Sequence, residues 1–184
     1  MTDKERVQTD PEALRPYLRA GYTLLPLFRW DRVSTHKNGK PRQDGKRPLD
    51  TDWVRKPYKN ADQVEHMKRG SNVGVRLTAQ QLVIDVDPRN MPEGRNTFLE
   101  LCTAIDLDPD DYPQVNTGSG GLHVYMTKPA DVAVVDSLEG YDGVEFKTRG
   151  RQVVAAGSKH PDGGMYGWDP LAPDLSEARA APER

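Results

Sequence analysis

The 184-residue chain has a single cysteine, Cys102, so an internal disulfide cannot form and a cysteine-rich zinc site is excluded. A buried helix position is its plainer role. Aromatic residues make up only 7% of the chain. No apolar stretch approaches the roughly 20 residues that cross a bilayer. The opening residues, MTDKERVQTD, lack the apolar core of a secretion signal, so the expected compartment is the cytoplasm, with no membrane partner. Neither sign of charge dominates. Lys and Arg number 26 against 28 Asp and Glu, a net of −2, which argues against holding nucleic acid by bulk positive charge. With 35% hydrophobic residues, 29% charged residues and many Gly and Pro, the chain reads as a loop-rich globular protein of one domain or a tight two-lobed one.

The charge is unevenly distributed. Residues 28–60 hold ten basic and four acidic side chains, a net of +6, whereas 85–111 hold eight acidic ones against Arg89 and Arg95. Such an asymmetry can set phosphates against one region and metal ions against another; a solvated basic loop is the plainer alternative for the first.

Thr9 and Glu12 form a capping-box pattern, Pro11 suits a first turn, and Leu14, Tyr17 and Leu18 make a helical stripe that stops at Gly21. A strand over 22–27 is followed by a polar connection over 32–51, too rich in Lys, Gly and Pro to pack as core. A second helix opens at Asn60 and Gln63, carries Val64 and Met67 and stops at Gly70. Strands over 72–77 and 82–86, a helix over 92–105, and strands over 114–116, 122–126, 144–147 and 152–156 complete an α+β pattern. The catalytic domain is expected over 1–170. After Pro170 apolar periodicity is lost, so 171–184 read as a tail or the start of a linker.

Three elements carry chemistry. In Val83-Ile84-Asp85-Val86-Asp87-Pro88 a strand ends in two acids spaced i, i+2, which places both on one face. Their Cα atoms are roughly 6–7 Å apart, a repulsive arrangement that a hard cation such as Mg²⁺ or Mn²⁺ relieves. An exposed strand end with an Asp-Pro turn is the alternative. Next, Thr117-Gly118-Ser119-Gly120-Gly121-Leu122-His123 is a glycine-rich turn feeding a strand, with Leu122, Val124 and Met126 toward the core and His123 and Tyr125 on the opposite face. Its glycines can let phosphate approach the backbone, Ser119 can donate a hydrogen bond and His123 can donate to a phosphate oxygen or protonate a leaving group. The turn has neither dinucleotide-fingerprint nor Walker A spacing. Third, Gly143-Val144-Glu145-Phe146-Lys147 presents Glu145 and Lys147 together, either as metal ligand and phosphate neutraliser or as a simple ion pair. Beyond it, Ser158, Lys159 and His160 form a polar basic turn suited to anions.

The order of these motifs, with Gly45-Lys46, Pro48 and Trp53, Asn72 to Val75, Gly157 to His160, and Tyr166-Gly167-Trp168, resembles the bifunctional primase-polymerase N-terminal domain of the archaeo-eukaryotic primase superfamily. That resemblance implies a two-lobed fold, an αβ lobe packed on an RRM-like antiparallel sheet with the active site between them. It implies template-directed nucleotidyl transfer in DNA replication, as DNA primase, DNA polymerase or both, with nucleoside triphosphates, a single-stranded DNA template and primer, and two Mg²⁺ or Mn²⁺ ions. The catalytic set is then Asp85, Asp87, His123 and Glu145, the metal ligands Asp85, Asp87 and Glu145, and the nucleotide contacts Lys46, Ser119, His123, Lys147, Arg151, Ser158 and His160. Glu145 stands where the family more often has Asp, and Ala155-Ala156 where it often has a proline pair. Relatives usually carry a helicase region after this domain, so a helicase domain or subunit is an expected partner. A metal-dependent nuclease or phosphodiesterase, and a non-catalytic nucleotide- or nucleic-acid-binding module, are the alternatives that these residues leave open.

Overall fold

The computed structural model describes residues 8–182. A 3-10 turn, Pro11–Leu14, leads into α1 (Arg15–Arg19), and β1 (Thr23–Pro26) follows. Then come β2 (Val33–Thr35), β3 (Pro41–Gln43), α2 (Asn60–Lys68), β4 (Val73–Arg76) and β5 (Gln81–Val86). After α3 (Thr97–Ala104) the chain is strand-rich, with β6 (Gln114–Asn116), β7 (Leu122–Thr127), β8 (Val144–Lys147), β9 (Gln152–Val154) and β10 (Gly167–Trp168). The α+β expectation is met.

The strands form a three-stranded antiparallel sheet, ordered β1-β4-β9, a five-stranded antiparallel sheet, ordered β10-β6-β7-β5-β8, and the hairpin β2-β3. Although β4 and β5 are consecutive, they lie in different sheets. Gln81 N–H bonds back to Thr78 O, and the turn carries the chain across rather than closing a hairpin.

Both faces of the five-stranded sheet are covered. Leu82, Ile84, Val86, Val124, Met126 and Val144 pack with Phe98, Leu101 and Cys102 of α3. On the other face Val83, Val115 and Tyr125 share a core with Leu24, Leu25, Val73, Val75 and Val153 of the three-stranded sheet and with Leu14 and Tyr17. Four aromatic residues meet at this junction: the ring centres of Tyr17, Tyr22, Tyr125 and Trp168 lie 4.9–6.1 Å apart in their contacting pairs, in tilted and edge-on contacts suited to the ring quadrupoles. The Trp168 indole N–H donates to Ala13 O at 2.8 Å. The Tyr17 hydroxyl accepts the Ala156 N–H at 3.1 Å and meets the Tyr125 hydroxyl at 3.0 Å, tying helix, strand and the end of β9 together.

Several local expectations shift. Asp10, not Thr9, caps the first turn, its carboxylate accepting the Glu12 N–H, while Thr9 donates to Met67 O at 2.6 Å. Leu18 lies outside the buried stripe. The stop at Gly21 is as the sequence indicates: at φ 72° it lets Tyr22 N–H reach Tyr17 O and Gly21 N–H reach Leu18 O, the paired bonds of a Schellman ending. The polar connection contains the β2-β3 hairpin, and Asp44 behind it is buried beneath Arg32, Arg42 and Arg47. Burial would raise the Asp44 pKa, but bonds from Arg47 and Ser34 and the Arg47 and Arg42 charges outweigh it and hold the carboxylate below its usual range.

The segment after Pro170 packs on the domain despite its composition. Leu175 is buried, Asp174 and Glu177 form a capping box, Asp174 pairs with Arg19, and Ala180 bridges Thr127 in parallel. Among the described residues no helix is long and apolar enough to cross a membrane.

Replacing Tyr17 by Phe removes the hydroxyl and leaves the Ala156 N–H and the Tyr125 hydroxyl unmatched in the core. Urea unfolding is expected to show a loss of about 1–3 kcal/mol; an unchanged midpoint would show that the hydroxyl pair does not hold the two sheets.

Candidate active site

Register on both sides of β5 builds the site. Asp85 lies opposite His123 of β7 and opposite Glu145 of β8, and Asp87 follows two residues on, beyond the strand. Along this face β5 changes from Val83, within the shared core, to Asp85 at the edge of an open cleft. The cleft, about 430 Å³, has Asp85, Asp87, Thr117, Ser119, His123, Glu145 and Lys147 on the five-stranded side and Gln152, Val153 and Val154 of β9 opposite, with Lys46, Arg89 and Tyr166 also lining it. A concave site with converging polar groups is where binding or chemistry is expected.

The carboxylates differ in their partners. Asp85 is half-buried and faces the His123 ring, Nε2 lying 3.5 Å from Oδ1. Asp87 accepts from Arg89 Nε and Nη2, both at 2.9 Å, from the Arg89 backbone N–H at 3.1 Å and from Asn90 Nδ2 at 3.4 Å. The Arg89 hydrogen bonds hold its pKa below the usual carboxylate range. Glu145 is exposed and paired with Lys147.

His123 is buried with Nδ1 unpartnered, and its ring lies 6.0 Å from that of Tyr166. Burial lowers its pKa; Asp85 opposes the shift, and Lys46 and Lys147 add to it. Lys46 is an exposed residue whose ammonium is nonetheless held partly out of water by the cleft walls. That desolvation and Arg89 lower its pKa, with Asp85, Asp87 and Asp162 acting in the opposite direction. Its backbone carbonyl accepts from Gln152 Nε2 at 3.0 Å.

The glycine-rich turn works differently from its sequence reading. A Cβ on Gly121 would lie 2.2 Å from Val86 O, and one on Gly118 would lie 2.4 Å from the His160 Cβ and 2.5 Å from Gly164 O. These two glycines admit neighbouring protein backbone rather than phosphate, and so press the turn against β5 and against the loop of His160. Ser119 does line the cleft, with its hydroxyl 3.3 Å from Thr117 Oγ1.

Of the residues singled out from sequence, Asp85, Asp87, His123, Glu145, Lys46, Ser119 and Lys147 come together. Three do not line the cleft. Ser158 is fully buried and bonded in both directions to Val73, donating to its O at 3.0 Å and accepting from its N–H at 3.1 Å, which ties the chain beyond β9 to β4. Arg151 is exposed and paired with Asp136. His160 is buried behind Gly118. Its Nδ1 accepts the Asp162 N–H at 3.1 Å, which puts the proton of the neutral ring on Nε2, a buried atom without a partner. Arg89, Gln152 and Tyr166 also line the cleft without having been named as site residues; Arg89 had a local signal, a cation two residues after the acid pair, and Tyr166 stood in one of the motifs.

Among the described residues no three His, Cys, Asp or Glu side chains converge as a ready-made metal shell, because Asp87 and Glu145 are turned to Arg89 and Lys147. The register nevertheless sets Asp85 and Glu145 side by side on one sheet face, and Asp87, just beyond β5, lines the same cleft, three hard oxygen donors of a kind that fits Mg²⁺ or Mn²⁺.

Burial also lowers the pKa of His160 and of His66. With His123 they stay neutral in the folded protein at pH values where the unfolded chain takes up protons, near 6.5. The unfolded state then binds more protons, so stability falls as pH drops through about 6.5 toward 5. Urea midpoints are expected to be lower at pH 5.5 than at 7.5, with a smaller difference in His160→Gln; equal differences would remove His160 from the account.

Residues 14–183 match the family described as bifunctional DNA primase/polymerase, N-terminal. A comparison with curated proteins finds no match. With the match spanning nearly all of the sequence, the chain belongs to the bifunctional DNA primase/polymerase N-terminal domain family.

Proposed function

We propose that the cleft performs template-directed nucleotidyl transfer, primer synthesis, primer extension or both, in DNA replication. The observation that carries this reading is the register that sets Asp85 between His123 and Glu145, with Asp87 two residues on, in a chain of this family. Asp85, Asp87 and Glu145 would hold two divalent cations, Mg²⁺ or Mn²⁺. When bound, such ions supply Lewis-acid stabilisation to the attacking and leaving oxygens of an in-line displacement. Lys46, Lys147 and Ser119 would bind the triphosphate of the incoming nucleotide, and His123, neutral and walled in, would donate one hydrogen bond to it. We read the five-stranded sheet, with α3 on one face and the cleft on the other, as the RRM-like part of a two-lobed primase-polymerase fold, and the three-stranded sheet as belonging to the second lobe. A helicase domain or subunit is the expected partner.

Single-stranded template would reach the cleft past the β2-β3 hairpin, where Lys37 and Lys40 are exposed, whereas Arg32, Arg42 and Arg47 are engaged with Asp44. Neutralising Lys37 and Lys40 together should weaken template binding and reduce the slope of log affinity against log salt by up to about 2; an unchanged slope would place the template elsewhere.

The central test offers unprimed and primed single-stranded templates with ribo- or deoxynucleoside triphosphates and Mg²⁺ or Mn²⁺. Wild-type protein is expected to make or lengthen strands, and Asp85→Asn to do so about 100-fold more slowly or worse, the scale of losing a group that stabilises transition-state charge. Shortened products would instead favour a nuclease. Binding without turnover, indifferent to metal and to Asp85, would favour a binding module.

A further inference from the structure

Asp87 as it stands has no room for a cation. Its two oxygens take four hydrogen bonds, three of them from Arg89, whose guanidinium lies across them in a two-pronged contact. Glu145 is exposed and has one oxygen, Oε2, paired with Lys147, again a cation two residues further along the chain. Asp85 alone among the three has no Lys or Arg paired with it; its neighbour is the His123 ring, with Nε2 3.5 Å from Oδ1. Two of the three acids are thus paired with cations from within the chain. The Arg89 side chain is half-exposed and lines the cleft, and its other nitrogen, Nη1, is 4.0 Å from the exposed carboxylate of Asp162.

We propose that Arg89 is a phosphate-contacting residue of the nucleotide site, parked on Asp87 until a divalent cation takes that carboxylate and then turned to the triphosphate. The inference rests on the nucleotidyl-transfer reading above. Its physical basis is exchange of like charge. In its two-pronged contact Arg89 competes with a divalent cation for both Asp87 oxygens, so Arg89 is displaced as the cation arrives, and a guanidinium freed beside a triphosphate finds an acceptor matching its fork. Metal and nucleotide binding are thereby coupled through one side chain. Arg89 weakens binding of the cation when nucleotide is absent and strengthens binding of the nucleotide when the cation is present. The site would then fill with both together in preference to the metal alone.

The test separates these two effects. Mn²⁺ binding to the metal-free protein is followed by water proton relaxation, and binding of inorganic triphosphate with equimolar Mg²⁺ by calorimetry. Arg89→Gln should bind Mn²⁺ about three- to tenfold more tightly, the scale of releasing a partly exposed ion pair, and magnesium triphosphate about tenfold more weakly. Arg89→Lys, which keeps the charge but loses the fork, should fall between wild type and Arg89→Gln in both. Arg95→Gln makes the same charge change on a residue paired with Glu100 away from the cleft and should match wild type. Mn²⁺ affinity that fails to rise in Arg89→Gln, or triphosphate affinity that fails to fall, overturns the role of Arg89 while leaving the metal site standing. Mn²⁺ binding that Asp85→Asn does not weaken removes the metal site itself, and Arg89's role with it.

Discussion

The cleft depends on β5 being held in a single register between β7 and β8. In an antiparallel sheet a slip by one residue would exchange the two faces of the strand. Here that would drive Asp85 into the core with Phe98 and Leu101 and turn Ile84 toward the cleft. Because Leu82, Ile84 and Val86 pack against α3 while Val83 packs into the core shared with the three-stranded sheet, the apolar residues on both faces oppose such a slip. The alignment of Asp85 with His123 and Glu145 is therefore a consequence of core packing rather than of any attraction among the polar groups, two of which repel each other.

The electrostatics of the cleft follow from that arrangement. Packing brings carboxylates to one sheet face, and each of Asp87 and Glu145 is balanced by a cation two residues later in its own segment. The same device appears at Asp44, where three arginines from the hairpin and its flanks surround one buried carboxylate. Much of the strong positive charge of residues 28–60 is thus used locally, and only part of it faces outward. His123 and His160, by contrast, are kept uncharged by burial and each retains a ring nitrogen without a partner, polar capacity that folding alone does not satisfy.

Much of the fold was legible in one dimension. The alternation of Leu122, Val124 and Met126 against His123 and Tyr125 located β7 and separated its faces, and the helix stop at Gly21 followed from its position after the Leu14–Tyr17 stripe. Both signals are local, since periodicity and a left-handed glycine act within a few residues. The outward face of β7 was nonetheless not a solvent face: Tyr125 is buried beneath Tyr17 and Trp168, which are distant in sequence. Ser158 had the composition of an anion contact but lies behind β4, hydrogen-bonded to Val73. Leu175 and Ala180, in a stretch without apolar period, pack through one buried side chain and one β-bridge, contacts that leave no pattern along the chain.

The sequence by itself determined the chemistry available: an acid pair spaced to share one strand face, a third acid and a lysine on another strand, a histidine after a glycine-rich turn, and no cysteine framework. These follow from side-chain identity and from the two-residue period of a strand, which need no tertiary information. Only the tertiary structure decided which of these groups meet. It put Asp85 between His123 and Glu145, brought Lys46, Gln152 and Tyr166 to the same cleft, turned Gly118 and Gly121 toward protein backbone and laid Arg89 across Asp87. Strand order and cross-strand register are set by burial summed over both cores, and that sum involves residues far apart in the chain.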